Sequence, residues 1–413
     1  MKAATLESKF PLLAVENGCI VSKEADVTVA FRVELPELFS VTGSEYEAVH
    51  SAWHKAVKVL PEYSIVHKQD FFIEEKYRPE TDRDDLSFLS RSFERHFNER
   101  PFLNHFCYLF LTKTTKARSR QESTFSTLCK GRLVPKEIED RETVTRFIEA
   151  VGQFEKIMND SGLVTLRRLT TDEITGTERS AGIVEKYLSL SQHDTTVLKD
   201  IQLNPEEMRI GDDILCLHTL SDTEDLPGKV ATDSRYERLS TDRSDCRLSF
   251  AAPVGLLLDC NHCYNQYIFI DDHGENLKRF EQTARNMHSL SRYSRSNQIN
   301  KAWIEEYLNE AHSKGLTSVR CHCNVMAWSD DREELRRIKN EVGSQLALME
   351  CKPRHNTVDV PTLFWAAIPG NDGGTSPSRR ASTRSSRKPC ASSPRRRTTR
   401  TRSRPSASRW RTG

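Results

Sequence analysis

Thiols and imidazoles are the side chains here best suited to chemistry, and several fall in two tight groups. Cys260-Asn261-His262-Cys263 and Cys321-His322-Cys323 together offer four sulfurs and two rings, the donor types that zinc takes. The two groups do not complete the spacing of a zinc knuckle or ribbon. Alternation along a strand would put Cys321 and Cys323 on one face with Val319 and Val325, where thiols act as small buried hydrophobes. That is the expected role, and no metal ligand is assigned. His50 and His54 stand four apart on a helical pattern, as in a zincin pair. The general base such a pair needs would follow the first His, and Ser51 stands there. A boundary helix carrying two His is the expectation.

Phosphate chemistry fares no better. Gly228-Lys229 puts Gly before Lys, but Val230 follows instead of Ser/Thr, and Thr223 stands where the first Gly of a phosphate loop belongs. The chain therefore carries no Walker A motif. Ile268-Phe269-Ile270-Asp271-Asp272 has the form of a Walker B strand, yet without its partner motif it reads as a buried strand ending in a turn. The carboxylate pairs Asp84-Asp85, Asp212-Asp213 and Asp271-Asp272 read as polar turns, and no nucleophile elbow is present. The basic segment Lys113 to Arg120 reads as a solvated loop after a strand, with phosphate or anionic lipid as the alternative ligand. No catalytic, cofactor-binding or metal residue is assigned.

Mixed elements must carry these groups. Val27, Val29, Phe31 and Val33 alternate with polar or small residues and predict a strand. Ser44 and Glu47 form a capping-box signature, and Val49, Trp53, Ala56, Val57 and Leu60 continue a helix that Pro61 stops. Ile65-Val66 and Phe71-Phe72-Ile73 return to strand. Leu86, Leu89, Phe93 and Phe97 suggest a short helix, Phe102 to Leu111 an aromatic strand, and Val144 to Met158 a helix closed by Asn159-Asp160-Ser161-Gly162. Residues 170–245 are polar and weakly periodic, either a connector or an ordered insertion. Beyond them, Leu248–Leu258, Tyr264–Ile270, Val319–Trp328 and Thr362–Ile368 read as strands. Helices are predicted over Glu275–Leu290, over Ile299–Ala311 with Gly315 as the stop, and through Leu335, Ile338, Val342, Leu346 and Met349. Without regular βαβ repetition, the fold class is α+β.

Composition divides the chain at Gly370. Residues 371–413 contain no Leu, Ile, Val, Met, Phe or Tyr and hold 13 Lys/Arg against one acid, Asp372. Such a segment cannot bury enough apolar surface to offset its ordering entropy and is expected to be disordered. The whole chain is +2, so residues 1–370, with 48 basic and 58 acidic side chains, carry −10. A nucleic-acid role is therefore confined to the tail. A length of 413 residues suggests about two or three domains. Two lobes at about 1–165 and 240–370 with a polar connector are the expectation. Eleven Cys without framework spacing fit a reducing compartment. No secretory signal is recognisable, and no run approaches the roughly 18 apolar residues that span a bilayer. The expected location is cytoplasmic.

Four blocks carry a family likeness: Lys9-Phe10-Pro11-Leu12-Leu13 through Glu16-Asn17-Gly18; Phe88-Leu89-Ser90-Arg91-Ser92-Phe93-Glu94-Arg95-His96-Phe97; Leu239-Ser240-Thr241-Asp242-Arg243-Ser244-Asp245; and Phe364-Trp365-Ala366-Ala367-Ile368-Pro369-Gly370-Asn371. Through them, residues 1–370 resemble the N-terminal region of the TraG-type ATPases of conjugative transposons, relatives of the motor ATPase of type IV secretion. The resemblance implies an α+β module that docks the ATPase against inner-membrane channel proteins, peripheral to the inner membrane, with homo-oligomers as a further expectation. In the family a RecA-like motor bearing ATP and magnesium follows the Pro-Gly-Asn step. Here residues 371–413 stand in its place, so no ATP hydrolysis carries over and no cofactor is expected. Codons compatible with Ser376 to Ser386, shifted by one nucleotide, read as an aromatic and acidic run. A frameshifted, truncated motor protein is therefore the expectation, and a nucleic-acid-binding protein with a genuine basic tail is the alternative.

Overall fold

The hydrophobic alternation of Val27 to Glu34 builds a strand that pairs with residues 19–21, 108–113 and 165–168. The computed structural model describes residues 6–374 except 38–39, 78–86, 116–140, 205–206, 221–224, 228–229, 291–293, 317 and 357–358. Asp84-Asp85, Thr223, Gly228-Lys229, the 116–120 part of the basic segment and residues 375–413 lie outside the described residues. The strands are β1 (Leu12–Glu16), β2 (Cys19–Ser22), β3 (Val27–Glu34), β4 (Ser64–Lys76), β5 (Pro101–Lys113), β6 (Thr165–Arg168), β7 (Ile201–Leu203), β8 (Met208–Ile210), β9 (Asp213–Leu220), β10 (Asp233–Arg235), β11 (Arg247–Ser249), β12 (His262–Ile270), β13 (Arg320–Ser329) and β14 (Arg354–Asn356). Helices of six residues or more are α1 (Gly43–Val59), α2 (Phe88–Asn98), α3 (Arg141–Asn159), α4 (Ile183–Leu188), α5 (His273–Leu290), α6 (Arg295–Lys314), α7 (Arg332–Leu348) and α8 (Val360–Ala366).

One 12-stranded antiparallel sheet runs in the order β1-β2-β3-β5-β4-β12-β13-β9-β8-β7, with β6 added on β3 and β14 on β9; β10 and β11 form a separate pair. The fold is α+β, as the sequence indicates. The two expected lobes are halves of this single sheet, joined where β4 pairs β12 from Ser64↔Ile270 to Phe72↔His262. β4 also pairs β5 from Ser64↔Lys113 to Lys76↔Pro101.

Because side chains alternate across a sheet, each face acquires its own cover. On one face, α1 and α3 bring Val49, Ala56, Phe147, Val151, Phe154 and Met158 onto Phe31, Val66, Leu109, Leu111 and Ile268. On the same face α7 lays Leu335, Ile338, Val342 and Leu346 over Cys216, Cys323, Val325 and Ala327. The opposite face packs Phe71, Tyr108, Phe110, Cys263 and Met326 against Tyr187 and Leu188 of α4 and Phe364 and Trp365 of α8. α5 and α6 pair with each other through Phe280, Ala284, Ile304, Tyr307 and Ala311.

Several expectations shift. α1 begins two residues early: Thr42 is the cap, accepting from the Glu45 amide at 3.4 Å while Glu45 accepts from the Thr42 amide at 2.7 Å. Ser44 and Glu47 repeat the same spacing and lose to it. The strand expected over Leu248–Leu258 is β11 followed by a short helix, Ala252–Leu256, opened by Pro253. The strand expected over Thr362–Ile368 is largely helix α8, with Pro361 in its first turn. A short apolar run has no period that separates buried strand from buried helix, and Pro at the start favours the helix. Residues 170–245 are largely an ordered part of the fold, and β9 within them is buried at every position but its first. α6 does end at Gly315, in the left-handed conformation (φ 60°, ψ 42°).

The folded chain also passes the compositional boundary. Asn371 and Asp372, grouped with the basic tail by composition, are fully buried. The Asn371 side chain donates to the Trp365 carbonyl at 2.8 Å. Between them and α8, Gly370 takes φ +88° with no room for a side chain: a Cβ there would lie 2.6 Å from Ile20 Cγ2. Gly370→Ala should therefore lower stability by about 1–3 kcal/mol, the range for overpacking a close-packed core. Urea unfolding of the two chains checks this, and an unchanged midpoint would contradict it.

Candidate functional site

Strand β4 places four polar residues, His67, Lys68, Gln69 and Asp70, between Val66 and Phe71. All four are buried. Alternation sends His67 and Gln69 to the face covered by α8, and Lys68 and Asp70 to the face of α1, α3 and α7. Each pair has gathered polar partners from neighbouring strands.

On the α8 face the partners form a continuous hydrogen-bonded row across five strands. Thr28 and Thr112 share a hydrogen bond of 2.8 Å, and Thr112 donates to Asp372 Oδ2 at 2.5 Å. Asp372 Oδ1 meets His67 Nδ1 at 2.6 Å. His67 Nε2 lies 3.1 Å from Asn265 Oδ1, which also accepts from Gln69 Nε2 at 2.8 Å. Asn265 donates to Asn324 Oδ1 at 3.0 Å, and Asn324 Nδ2 lies 3.1 Å from His322 Nε2. The Tyr267 ring stacks on His67 at 4.0 Å between centroids. Both His67 nitrogens are engaged by Asp372 and Asn265, so neither is left to act as a base on a nucleophile. The row holds strands together and seats the segment that ends in Asp372.

On the other face, Asp70 Oδ2 is paired with the Lys68 ammonium and Asp70 Oδ1 accepts from His105 Nε2 at 2.8 Å. Cys107, the direct cross-strand partner of Asp70, completes the group. Burial opposes ionisation of Asp70, yet the Lys68 charge and the His105 contact hold its carboxyl below the usual carboxylate range. Burial, and next the Asp70 charge, push the Cys107 thiol up. The His105 and His262 rings stack on either side of Phe72, at 4.5 and 4.6 Å.

The residues singled out in the sequence are dispersed. Cys323 shares a face with Val325 and Cys321 with Val319, as strand alternation requires. Cys263 lies on the opposite face, in the α8 layer. Burial raises the thiols of Cys260 and Cys263, and that of Cys216 to about 11. His50 and His54 are half-buried on α1, and burial, then Lys58, lowers the pKa of His54. His54 lines a cleft with Lys58, Glu62, Ile270, Asp271 and His273. Asp271 is held there by Arg320 through two contacts of 2.5 and 2.9 Å. Asp272 accepts from the Glu275 amide at 2.9 Å in the first turn of α5. The segment resembling a Walker B strand is thus a strand end with a helix start. Asp212 lies in the turn before β9, and Asp213, the first residue of that strand, pairs with Lys199 at 2.8 Å.

Lys68, Asp70, His105, Cys107, His67 and Asp372 were not marked by sequence spacing. The available signal was one strand, not two, over residues 64–76: with the polar interruption included, His67, Gln69 and Phe71 share one face and Lys68, Asp70 and Phe72 the other.

At the surface, α2 is unusual. Ser87 caps it, accepting from the Ser90 amide at 3.2 Å. None of its residues is buried: Phe88, Leu89 and Phe93 are 81%, 77% and 61% exposed. Phe93 packs on Phe97 at 4.5 Å, and Phe97 meets Tyr77 at 6.3 Å. Phe88, Leu89 and Phe93 thus set large apolar side chains against water on one helix. Among the described residues no helix is long and apolar enough to cross a membrane.

Residues 1–51 match the model of a family described as "Domain of unknown function, B. Theta Gene description (DUF3875)". The match spans β1 to β3 and the first half of α1. No curated protein matches the chain.

Two outcomes follow from these networks. Asp70→Asn leaves a buried ammonium without its counter-charge and should cost about 3–5 kcal/mol, whereas replacing both partners by Lys68→Met with Asp70→Leu should cost far less. Denaturant unfolding of the three chains compares them, and equal losses would contradict the pairing. Burial, then His67, lowers the His322 pKa to about 4, against about 6.5 in an unfolded chain. The unfolded state therefore binds the extra proton first, so stability is present above pH 6.5 and is lost as pH falls toward 4. His322→Gln should flatten that part of the stability–pH curve, and an unaltered slope would exclude His322 as its source.

Proposed function

We propose that this chain is a non-catalytic docking and assembly module of conjugative DNA transfer, related to the N-terminal region of TraG-type ATPases. Its partners on this reading are channel proteins of the inner membrane, which it meets from the cytoplasmic side. The observation that carries the reading is the exposed apolar face of α2. That helix is the second block of the family likeness, Phe88 to Phe97, and its three most exposed large apolar residues have no part in the core. Leu239, in the third block, is likewise 52% exposed. Two of the four resembling blocks thus lie where they contribute little to folding, which suits a role in contact. The first block forms the edge strand β1, within the N-terminal segment that matches the family model. The fourth enters the core through Phe364 and Trp365.

Exchanging Phe88, Leu89 and Phe93 together for Ser removes the apolar face without opening a cavity, so the thermal midpoint should hold. Binding to inner-membrane vesicles that carry the conjugation channel should fall at least about tenfold, the effect of losing one well-packed interface anchor or more. Equal binding by the triple variant, or equal binding to vesicles without the channel, would sink the proposal. The alternative, nucleic-acid binding through the 13 basic side chains beyond Gly370, predicts a salt-dependent DNA shift lost on deleting 375–413. The cut belongs after Gly374, because removing Asn371 and Asp372 would unseat the core.

A further inference from the structure

We propose that Asp70, His105 and Cys107 form a binding site for a transition-metal dication of the zinc class, with Lys68 balancing the site's charge before the ion enters. The three residues are the one group among the described residues in which metal-ligating atoms converge, all within 4.8 Å of one another. Geometry explains the convergence. Asp70 and Cys107 are direct partners across the β4–β5 ladder, and His105 lies two residues from Cys107 on the same face. Adjacent strands lie about 4.8 Å apart, so such a triangle presents three donors toward one point above the sheet.

The donor set is borderline-soft, with one sulfur, one nitrogen and one carboxylate oxygen, which suits zinc or cobalt better than magnesium or calcium. Tetrahedral zinc at bond lengths near 2.0–2.3 Å holds its ligand atoms about 3.3–3.8 Å apart. Small side-chain rotations therefore close the triangle. The His105 ring plane is held by stacking on Phe72, itself backed by His262, so the imidazole is oriented before binding.

Charge and protons balance. Cys107 gives up its thiol proton to solvent as the sulfur–metal bond forms. His105 moves its hydrogen from Nε2 to Nδ1, with no net release, and binds through Nε2. Asp70 exchanges the Lys68 ammonium for the ion, and Lys68 releases its own proton, leaving a neutral amine beside the metal as a fourth donor. The dication is then matched by one carboxylate and one thiolate. About two protons leave per ion, as is usual when ligands must be deprotonated. The site is buried, so loading belongs to folding rather than to later exchange.

The test is expression of the full chain in cobalt-supplemented medium, followed by absorption spectroscopy and metal analysis of the purified, untagged protein. The expected result is one cobalt per chain with a thiolate-to-cobalt charge-transfer band and tetrahedral d–d bands. Cys107→Ser should abolish the charge-transfer band, and Cys260→Ser, Cys263→Ser and Cys323→Ser should keep it. A wild-type chain without cobalt or bands overturns the proposal, as does a band that survives Cys107→Ser. Should Cys107→Ser fail to fold, X-ray absorption of the zinc-loaded wild type decides. A single sulfur near 2.3 Å among nitrogen and oxygen supports the site, and none or several overturns it.

Discussion

Four consecutive polar side chains, His67 to Asp70, lie in the middle of a strand that is buried on both faces, and each needs a partner on its own side. An unpaired buried polar group costs about 1–3 kcal/mol and a buried charge far more. This requirement shapes what surrounds β4. It calls His105 and Cys107 into the core of β5, Asn265 into β12 and Asn324 with His322 into β13. It also calls Asp372 from beyond α8 to meet His67 and Thr112. The polar middle of β4 therefore fixes register: a slip of one residue would exchange the contents of the two faces and strand both networks.

The same constraint ties β2 and the segment after α8 to the centre of the sheet. Gly370 lies against Ile20 of β2 and lets the chain turn so that Asn371 and Asp372 reach the sheet. Phe364 and Trp365 of α8 cover the apolar half of that face, and the Tyr187 hydroxyl donates to the Phe364 carbonyl at 2.7 Å. Residues 367–372 are thus a structural plug over a polar patch. Composition assigns Asn371 and Asp372 to the basic tail, but hydrogen bonding assigns them to the fold.

The core and α2 divide the work. A sheet whose central strands are paired on both edges is a stiff platform. α2 sits between β4 and β5 in the chain with its apolar residues turned to water. Its link to that platform runs through Phe97, which meets Tyr77 just beyond β4. Both His67 nitrogens are engaged, and Asp271 and Asp272 are occupied by Arg320 and the start of α5. The Asp70 cluster is the exception, because its donors converge on one point with a lysine as the present counter-ion.

The α+β class, most helices, and the strands β3, β5, β12 and β13 are legible in the sequence, because their apolar residues repeat with the period of the element they form. It also determined that Cys321 and Cys323 share a face and that Gly315 ends α6. What it left open has a common physical cause. Pairing between β4 and β12, nearly two hundred residues apart, leaves no local pattern, and the polar middle of β4 reads as a break between two strands until both faces are supplied with partners. The apolar runs at α8 and after β11 have no period of their own, and only packing, with Pro at the first turn, makes them helical. Whether Asp70, His105 and Cys107 meet, and whether Asp372 belongs to the core, are decided by register and chain reversal, which exist only in three dimensions.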